Sequence, residues 1–130
     1  MRRFFLPAAA VLVIVLIAAL LFFFRGGSTT LTPETFVAGH EPDALILDVR
    51  TPEEYAAGHL DGAVNINLFA DDFAERVDAF DRDRPVYLYC GSGQRSGRAA
   101  RLMEEMGFEE PVNVGGYGAL KAAGADVVEP

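Results

Sequence analysis

The chain has 130 residues, 51% of them hydrophobic, with 19 acidic against 11 basic side chains and a net charge of −8. That length holds one domain and an appendage, and the acidic balance excludes nucleic-acid binding through a basic face. One cysteine and two distant histidines exclude a disulfide framework and any metal-ligand spacing.

The appendage is N-terminal. Met1-Arg2-Arg3 precedes Phe4–Phe24, 21 residues without a charge, which as a helix would run roughly 31 Å and match a bilayer core. The run ends in Leu21-Phe22-Phe23-Phe24-Arg25, not in a small-residue cleavage site. Residues 1–25 are therefore expected to form a single-pass membrane anchor, with a signal segment as the competing reading. Arg2 and Arg3 against Arg25 place the N-terminus in the cytoplasm and the domain on the extracytoplasmic side, periplasmic or at the outer face. Beyond Ser28, 8 basic residues face 19 acidic ones, net −11. Such a domain is not expected to bind nucleic acid or to adhere to anionic lipid.

Residues 26–31 read as a linker, flexible through Gly26-Gly27-Ser28-Thr29-Thr30, and residues 32–130 as the domain. Thr32-Pro33-Glu34-Thr35 starts a helix that ends at Gly39. Ala44–Asp48 predicts a buried strand, and Thr51-Pro52-Glu53-Glu54 a capping box opening a helix that stops at Gly58. A short strand is expected over Ala63–Ile66. A helix follows over Asp71–Phe80, with Phe73, Val77 and Phe80 facing inward, and then a charged loop, Asp81-Arg82-Asp83-Arg84. Pro85–Tyr89 reads as a buried strand. From about Gln94 to Met106, Ala99, Leu102, Met103 and Met106 recur at helical spacing. Val112–Val114 and Tyr117–Ala123 complete the pattern. Strands alternating with helices imply an α/β fold with an open, mostly parallel sheet covered on both faces and ligands at the strands' carboxyl ends.

Cys90 stands at such an end, followed by Gly91-Ser92-Gly93-Gln94-Arg95-Ser96-Gly97 and a helix start. Unpaired amides, the helix dipole and a glycine-rich nest favour an anion there and lower a thiol's pKa. Between Asp83 and Glu104 the chain carries Arg84, Arg95, Arg98 and Arg101 and no acid. Arg98 and Arg101 fall on the solvated face, where Arg101 can pair with Glu105. Arg95 shares the phase of Ala99 and Met106, so it turns toward the loop as an ordering and anion-binding residue. Asp48 and Arg50, with Glu53 and Glu54 nearby, are expected to form an ion-pair network that fixes the surrounding loops. His59 could act as a base for Cys90, but its setting between Gly58 and Leu60 favours ordering of the turn before Asp61-Gly62. His40 is expected in an exposed turn.

Cys90, Gly93 and Arg95 resemble the Cys-x-x-Gly-x-Arg loop of rhodanese-domain sulfurtransferases. Leu47-Asp48-Val49-Arg50-Thr51-Pro52-Glu53-Glu54-Tyr55 through Gly58-His59-Leu60-Asp61-Gly62-Ala63 is similar to that family's other signature. The resemblance runs from about Leu31 to Gly124. It implies a rhodanese-like domain in which the Cys90 thiolate takes a sulfane sulfur from thiosulfate or a persulfide. The resulting persulfide would be cradled by the loop from Gly91 to Ser96, and its sulfur passed to cyanide or a thiol acceptor, small or protein-borne. No cofactor is needed, and with no second cysteine the sulfur must leave to an external acceptor.

Three other readings stay open. Cys-dependent phosphatases space cysteine and arginine by five residues, whereas four separate Cys90 from Arg95. A membrane-tethered redox or sulfur-relay partner would use the same cysteine. A non-catalytic interaction module with this fold would not need it. Two departures from the family pattern stand out: Tyr117 and Leu120 follow Gly115-Gly116 in a chain without tryptophan, and Gly91 and Ser92 are small and neutral where the donor is tuned. The second leaves room for a weaker preference for dianionic thiosulfate.

Overall fold

Two apolar strands, β2 (Leu45–Asp48) and β5 (Val86–Cys90), form the middle of the sheet because neither has a face that can meet water. The structure, a computed structural model, describes residues 7–23 and 29–130. β1 (Thr29–Thr30), β4 (Val64–Asn65) and β6 (Pro111–Gly116) complete a five-stranded sheet of order β1-β6-β5-β2-β4, every neighbouring pair parallel. The connections carry α2 (Pro33–Ala38), α3 (Pro52–Ala57), α4 (Phe73–Asp78), α5 (Gln94–Glu105) and α6 (Tyr117–Ala122).

The alternation of side chains along the strands divides the core in two. On one face Leu45, Leu47, Val86, Leu88 and Cys90 pack against Ala99, Ala100 and Met103 of α5 and Phe73 and Val77 of α4. On the other, Tyr87, Tyr89, Val112 and Val114 pack against Phe36 of α2 and Leu120 of α6. The open, parallel α/β sheet expected from the sequence is thus present, covered on both faces.

The helix starts follow local chemistry. Thr32 Oγ1 accepts the Thr35 amide at 3.2 Å, with Pro33 in the first turn, and Gly39 ends α2. Thr51 and Glu54 make the full capping box, and Gly58 ends α3. In α5 the buried side chains are Ser96, Ala99, Ala100 and Met103, while Leu102 and Met106 are only partly covered. The stripe is rotated relative to its sequence reading because small residues face the sheet, where the helix lies closest. Phe80 falls beyond the end of α4 but still packs on the core.

Two expectations for the N-terminus change. α1 (Ala8–Phe23) has 16 residues, about 24 Å of helix against a hydrocarbon core of about 30 Å. Among the described residues no helix is long and apolar enough to cross a membrane. The span drawn over residues 4–24 is therefore not carried by the structure, and residues 4–6 and 24 lie outside those described. The linker drawn over 26–31 is also too long: Thr29 and Thr30 pair with Val112 and Asn113, and the Leu31 amide donates to the Asn113 carbonyl at 2.9 Å. Residues 26–28 lie outside the described residues. A further antiparallel pair, β3 (His59–Leu60) with β7 (Val127–Val128), was not expected; two-residue strands carry no periodicity to read.

Leu88 has no exposed surface, so Leu88→Ala should lower unfolding free energy by about 2–5 kcal/mol. Removing the half-buried cap in Thr51→Ala should lower it by about 1 kcal/mol. Urea denaturation followed by circular dichroism measures both.

Candidate active site

β5 delivers Cys90 to the carboxyl edge of the sheet as its last residue, and Gly93, three residues later, caps the start of α5. The Gly93 amide donates to Cys90 Sγ at 3.0 Å, and Ser96 Oγ lies 3.4 Å from the same sulfur. Burial of Cys90 opposes ionisation. The bonds from the Ser96 hydroxyl and the Ser96, Ser92 and Gly93 amides outweigh it, so the thiol's pKa lies below the ordinary value. Ser96 Oγ is also 2.7 Å from Asn113 Oδ1. A hydroxyl has one proton, so it serves either the asparagine or the sulfur. Asn113 Oδ1 also accepts the Gly115 amide at 3.1 Å, and it stays satisfied when Ser96 turns to the sulfur.

The loop holds this shape because two glycine segments touch. Gly93 has φ +92°, and a Cβ on it would lie 3.3 Å from Gly115 Cα. A Cβ on Gly116 would lie 2.5 Å from the Gly91 carbonyl oxygen, a contact backbone cannot relieve. The register between β5 and β6 slips by one residue, so that Tyr89 and Cys90 face Gly115 and Gly116. Asn113 secures the same junction through Nδ2, which donates to the Gly93 carbonyl at 3.0 Å. Gly97 has an ordinary backbone; its missing side chain leaves room for Asn113 Nδ2, which a Cβ would meet at 3.2 Å.

Arg95 turns toward the loop, as its helical phase suggests, but its charge is already engaged. Its Nη1 and Nη2 donate to Glu54 Oε1 and Oε2 at 2.7 and 3.0 Å, joining α5 to α3. Hydrogen bonds from Arg95, working against partial burial and helped by Thr51, lower the Glu54 carboxyl from 4.5 to about 2. Gln94 and Ser92 are exposed, and so are Arg98 and Arg101. The expected Arg101–Glu105 pair does not form, and the Arg98 guanidinium lies 5.9 Å from the centre of the exposed Phe69 ring.

Asp48 and Arg50 form a buried pair. Arg50 Nη2 donates to Asp48 Oδ2 at 2.7 Å and to the Gly58 carbonyl at 2.6 Å, and Nε reaches both carboxylate oxygens. Tyr89 OH donates to Asp48 Oδ2 at 2.7 Å and accepts the Leu60 amide at 3.0 Å. The Tyr117 ring lies 4.6 Å from the Arg50 guanidinium carbon. These contacts tie the turn after β2 to the end of α3 and to β3, which is the expected loop-fixing network. Glu54 leaves it for Arg95, and Glu53 is exposed. His59 stacks on Tyr55 at 3.7 Å between ring centres, and its Nδ1 lies 2.9 Å from the Tyr55 carbonyl. These contacts spend it on the turn, not on Cys90. His40 likewise stacks on Phe36 from an exposed position.

The model of the rhodanese-like domain matches residues 32–123. The chain belongs to the rhodanese-like domain family. Uncharacterized protein YqhL of Bacillus subtilis is 43% identical over 98 residues, covering 72% of this chain and 75% of that protein. Thiosulfate sulfurtransferase PspE of Escherichia coli is 39% identical over 72 residues, 54% of this chain and 67% of that protein. Among solved structures, the rhodanese-like domain of the Alr3790 protein from Anabaena sp. superposes with a TM-score of 0.68 at 25% identity, covering 81% of each chain. A rhodanese with anions from Escherichia coli gives 0.55 at 35% identity, covering 67% of this chain and 99% of the other.

Within this rhodanese-like site, three residues escaped the sequence reading: Asn113, Tyr89 and the true partner of Arg95, Glu54. Asn113 was an isolated polar residue in an apolar strand, a signal that it serves something across the sheet edge. Tyr89 read as core, and burial with the Asp48 bond raises its phenol above its ordinary pKa, leaving it a neutral donor. A cavity of about 210 Å³ lined by Phe36, His40, Ile46 and Leu60 opens on the Tyr87 face, away from the Cys90 side chain.

The rate of Cys90 alkylation should rise with pH through a midpoint below the ordinary thiol value, since the folded state favours thiolate. Ser96→Ala removes one donor to the sulfur and should move that midpoint upward, as read by iodoacetamide kinetics against pH.

Proposed function

We propose that this chain is a sulfurtransferase that carries a sulfane sulfur on Cys90. The observation that supports this most directly is a buried sulfur held by the Gly93 amide and the Ser96 hydroxyl at 3.0 and 3.4 Å. The likeness to a thiosulfate sulfurtransferase supports the same reaction class.

In this reading the Cys90 thiolate attacks the outer sulfur of thiosulfate or the terminal sulfur of a persulfide. The donor's S–S bond breaks, and sulfite or a thiolate leaves with the electron pair. A Cys90–S–S⁻ persulfide results, with Gly93, Ser96 and the loop amides as the nearest donors to its charge. Cyanide or an acceptor thiolate then attacks the terminal sulfur and regenerates the Cys90 thiolate. Cys90 has no exposed surface in the closed loop, so the segment from Gly91 to Gly93 has to shift for a donor to enter. The lone cysteine makes the acceptor external, a small thiol or a protein thiol. In this proposal neither a cofactor nor a nucleic acid takes part.

The uncharged run of residues 4–24, more than the described helix, leads us to place this activity at a membrane. The N-terminus would be cytoplasmic and the domain extracytoplasmic. Partition of the full chain into the membrane fraction, lost on deleting residues 1–28, supports that placement; recovery of the full chain in the soluble fraction sinks it.

The function is tested by incubating the protein with thiosulfate or a low-molecular-weight persulfide and measuring intact mass. The wild type should gain one sulfur atom, lose it to cyanide or thiol, and show no gain as Cys90→Ser. A folded protein with a reactive thiol that gains nothing from any donor overturns the proposal.

A further inference from the structure

The ion pair between Arg95 and Glu54 lies beside the cysteine loop: a Cβ on Gly91 would meet Arg95 Nη2 at 3.0 Å and Glu54 Oε2 at 3.6 Å. Both the positive and the negative member of the pair therefore flank the residue that follows Cys90. A donor whose sulfane sulfur approaches Sγ must set its leaving group near this rim, since the opposite side of the sulfur is filled by core side chains of β5 and α5. There the leaving group meets a guanidinium whose Nη1 and Nη2 are both committed to a carboxylate. The carboxylate itself repels anions. Ser92 and Gly91 add no charge; the donors hydrogen-bonded to the sulfur are a backbone amide and a hydroxyl, and the one charged group that also acts on it is Arg95, itself paired with Glu54. The rim thus has a net charge near zero within a domain of net −11 beyond Ser28. Each further negative charge on a donor loses more than it gains there.

We infer that Glu54 is a positioning and specificity residue that neutralises Arg95 beside the incoming donor and selects singly charged sulfane-sulfur donors over dianionic ones. The favoured class comprises thiosulfonates and hydropersulfides with an uncharged body. This rests on the sulfur-transfer reading above. The step itself is unchanged: the Cys90 thiolate takes the sulfane sulfur, the S–S bond breaks, and the leaving group departs with the electron pair. That group is methanesulfinate from methanethiosulfonate and sulfite from thiosulfate. The two donors are close in shape and differ by one charge at the leaving end.

The test is kcat/KM for methanethiosulfonate and for thiosulfate, with cyanide as acceptor, in the full chain and three variants. Glu54→Gln keeps an acceptor for the capping box with Thr51 but frees the guanidinium. Glu53→Gln removes the same charge one residue away, from a side chain that does not touch Arg95. Glu54→Asp keeps the charge. The wild type should favour the singly charged donor. Glu54→Gln should move the ratio toward thiosulfate by about tenfold, the size of one charge at close range in a half-exposed setting. Glu53→Gln and Glu54→Asp should stay within about threefold of wild type. A Glu54→Gln variant that loses both donors equally shows a merely structural role and overturns the inference, as does a wild type that prefers thiosulfate. If Glu54→Gln does not fold, the wild-type preference and the Glu54→Asp ratio still decide. If neither donor loads wild-type Cys90, it is the sulfur-transfer reading that fails.

Discussion

The contact on which the site depends is backbone against backbone, where Gly91–Gly93 lies on Gly115–Gly116. With a Cβ at Gly116 only 2.5 Å from the Gly91 carbonyl, any side chain there would push the loop off the sheet edge. The Gly93 amide would go with it, and so would the first turn of α5. The one-residue slip between β5 and β6 brings the glycine pair opposite Cys90, and Asn113 bonds both sides of the junction. Shape at the nucleophile is thus set by the absence of a side chain at Gly93 and Gly116.

The two arginine–carboxylate pairs behave differently because they lie at different depths. Asp48 and Arg50 are buried, 0% and 5% exposed, and no fully buried side-chain polar atom of that group lacks a partner. Removing one member would strand a charge in a poorly solvating interior, a loss of about 3–5 kcal/mol. Glu54 and Arg95 are 36% and 26% exposed, so water screens their attraction and their weight lies in where they hold each other. Ionisation of Cys90 rests mainly on neutral donors, the Gly93 amide and the Ser96 hydroxyl, whose effect depends on alignment more than on ionic strength.

Much of this was legible in the sequence. Thr32, Thr51 and the glycines at 39 and 58 gave helix boundaries because capping is local chemistry, decided within four residues. The run from Val86 to Tyr89 gave a central strand because it has no polar face. What could not be read was the partner of each charged group. Glu54 has a strong local role in its capping box, which concealed its bond to an arginine 41 positions away. The rotation of α5 was hidden because hydrophobicity points to Leu102 and Met106, whereas close packing on a sheet favours Ser96 and Ala100. The span drawn over residues 4–24 rested on the absence of charge alone, and the described helix covers Ala8–Phe23 of it.

The end of the expected linker, Thr29–Thr30, is instead a strand, and that has a mechanical consequence. Thr30 lies beside Asn113 in the sheet, and Leu31 bonds its carbonyl, while the Asn113 side chain holds the Gly93 carbonyl and reaches Ser96. A pull applied through the N-terminal segment is therefore borne first by the hydrogen bonds of β1 on β6. They are loaded in shear along the strand, at the residue that braces the cysteine loop. The hold of β1 on the sheet and the geometry of the sulfur share one asparagine.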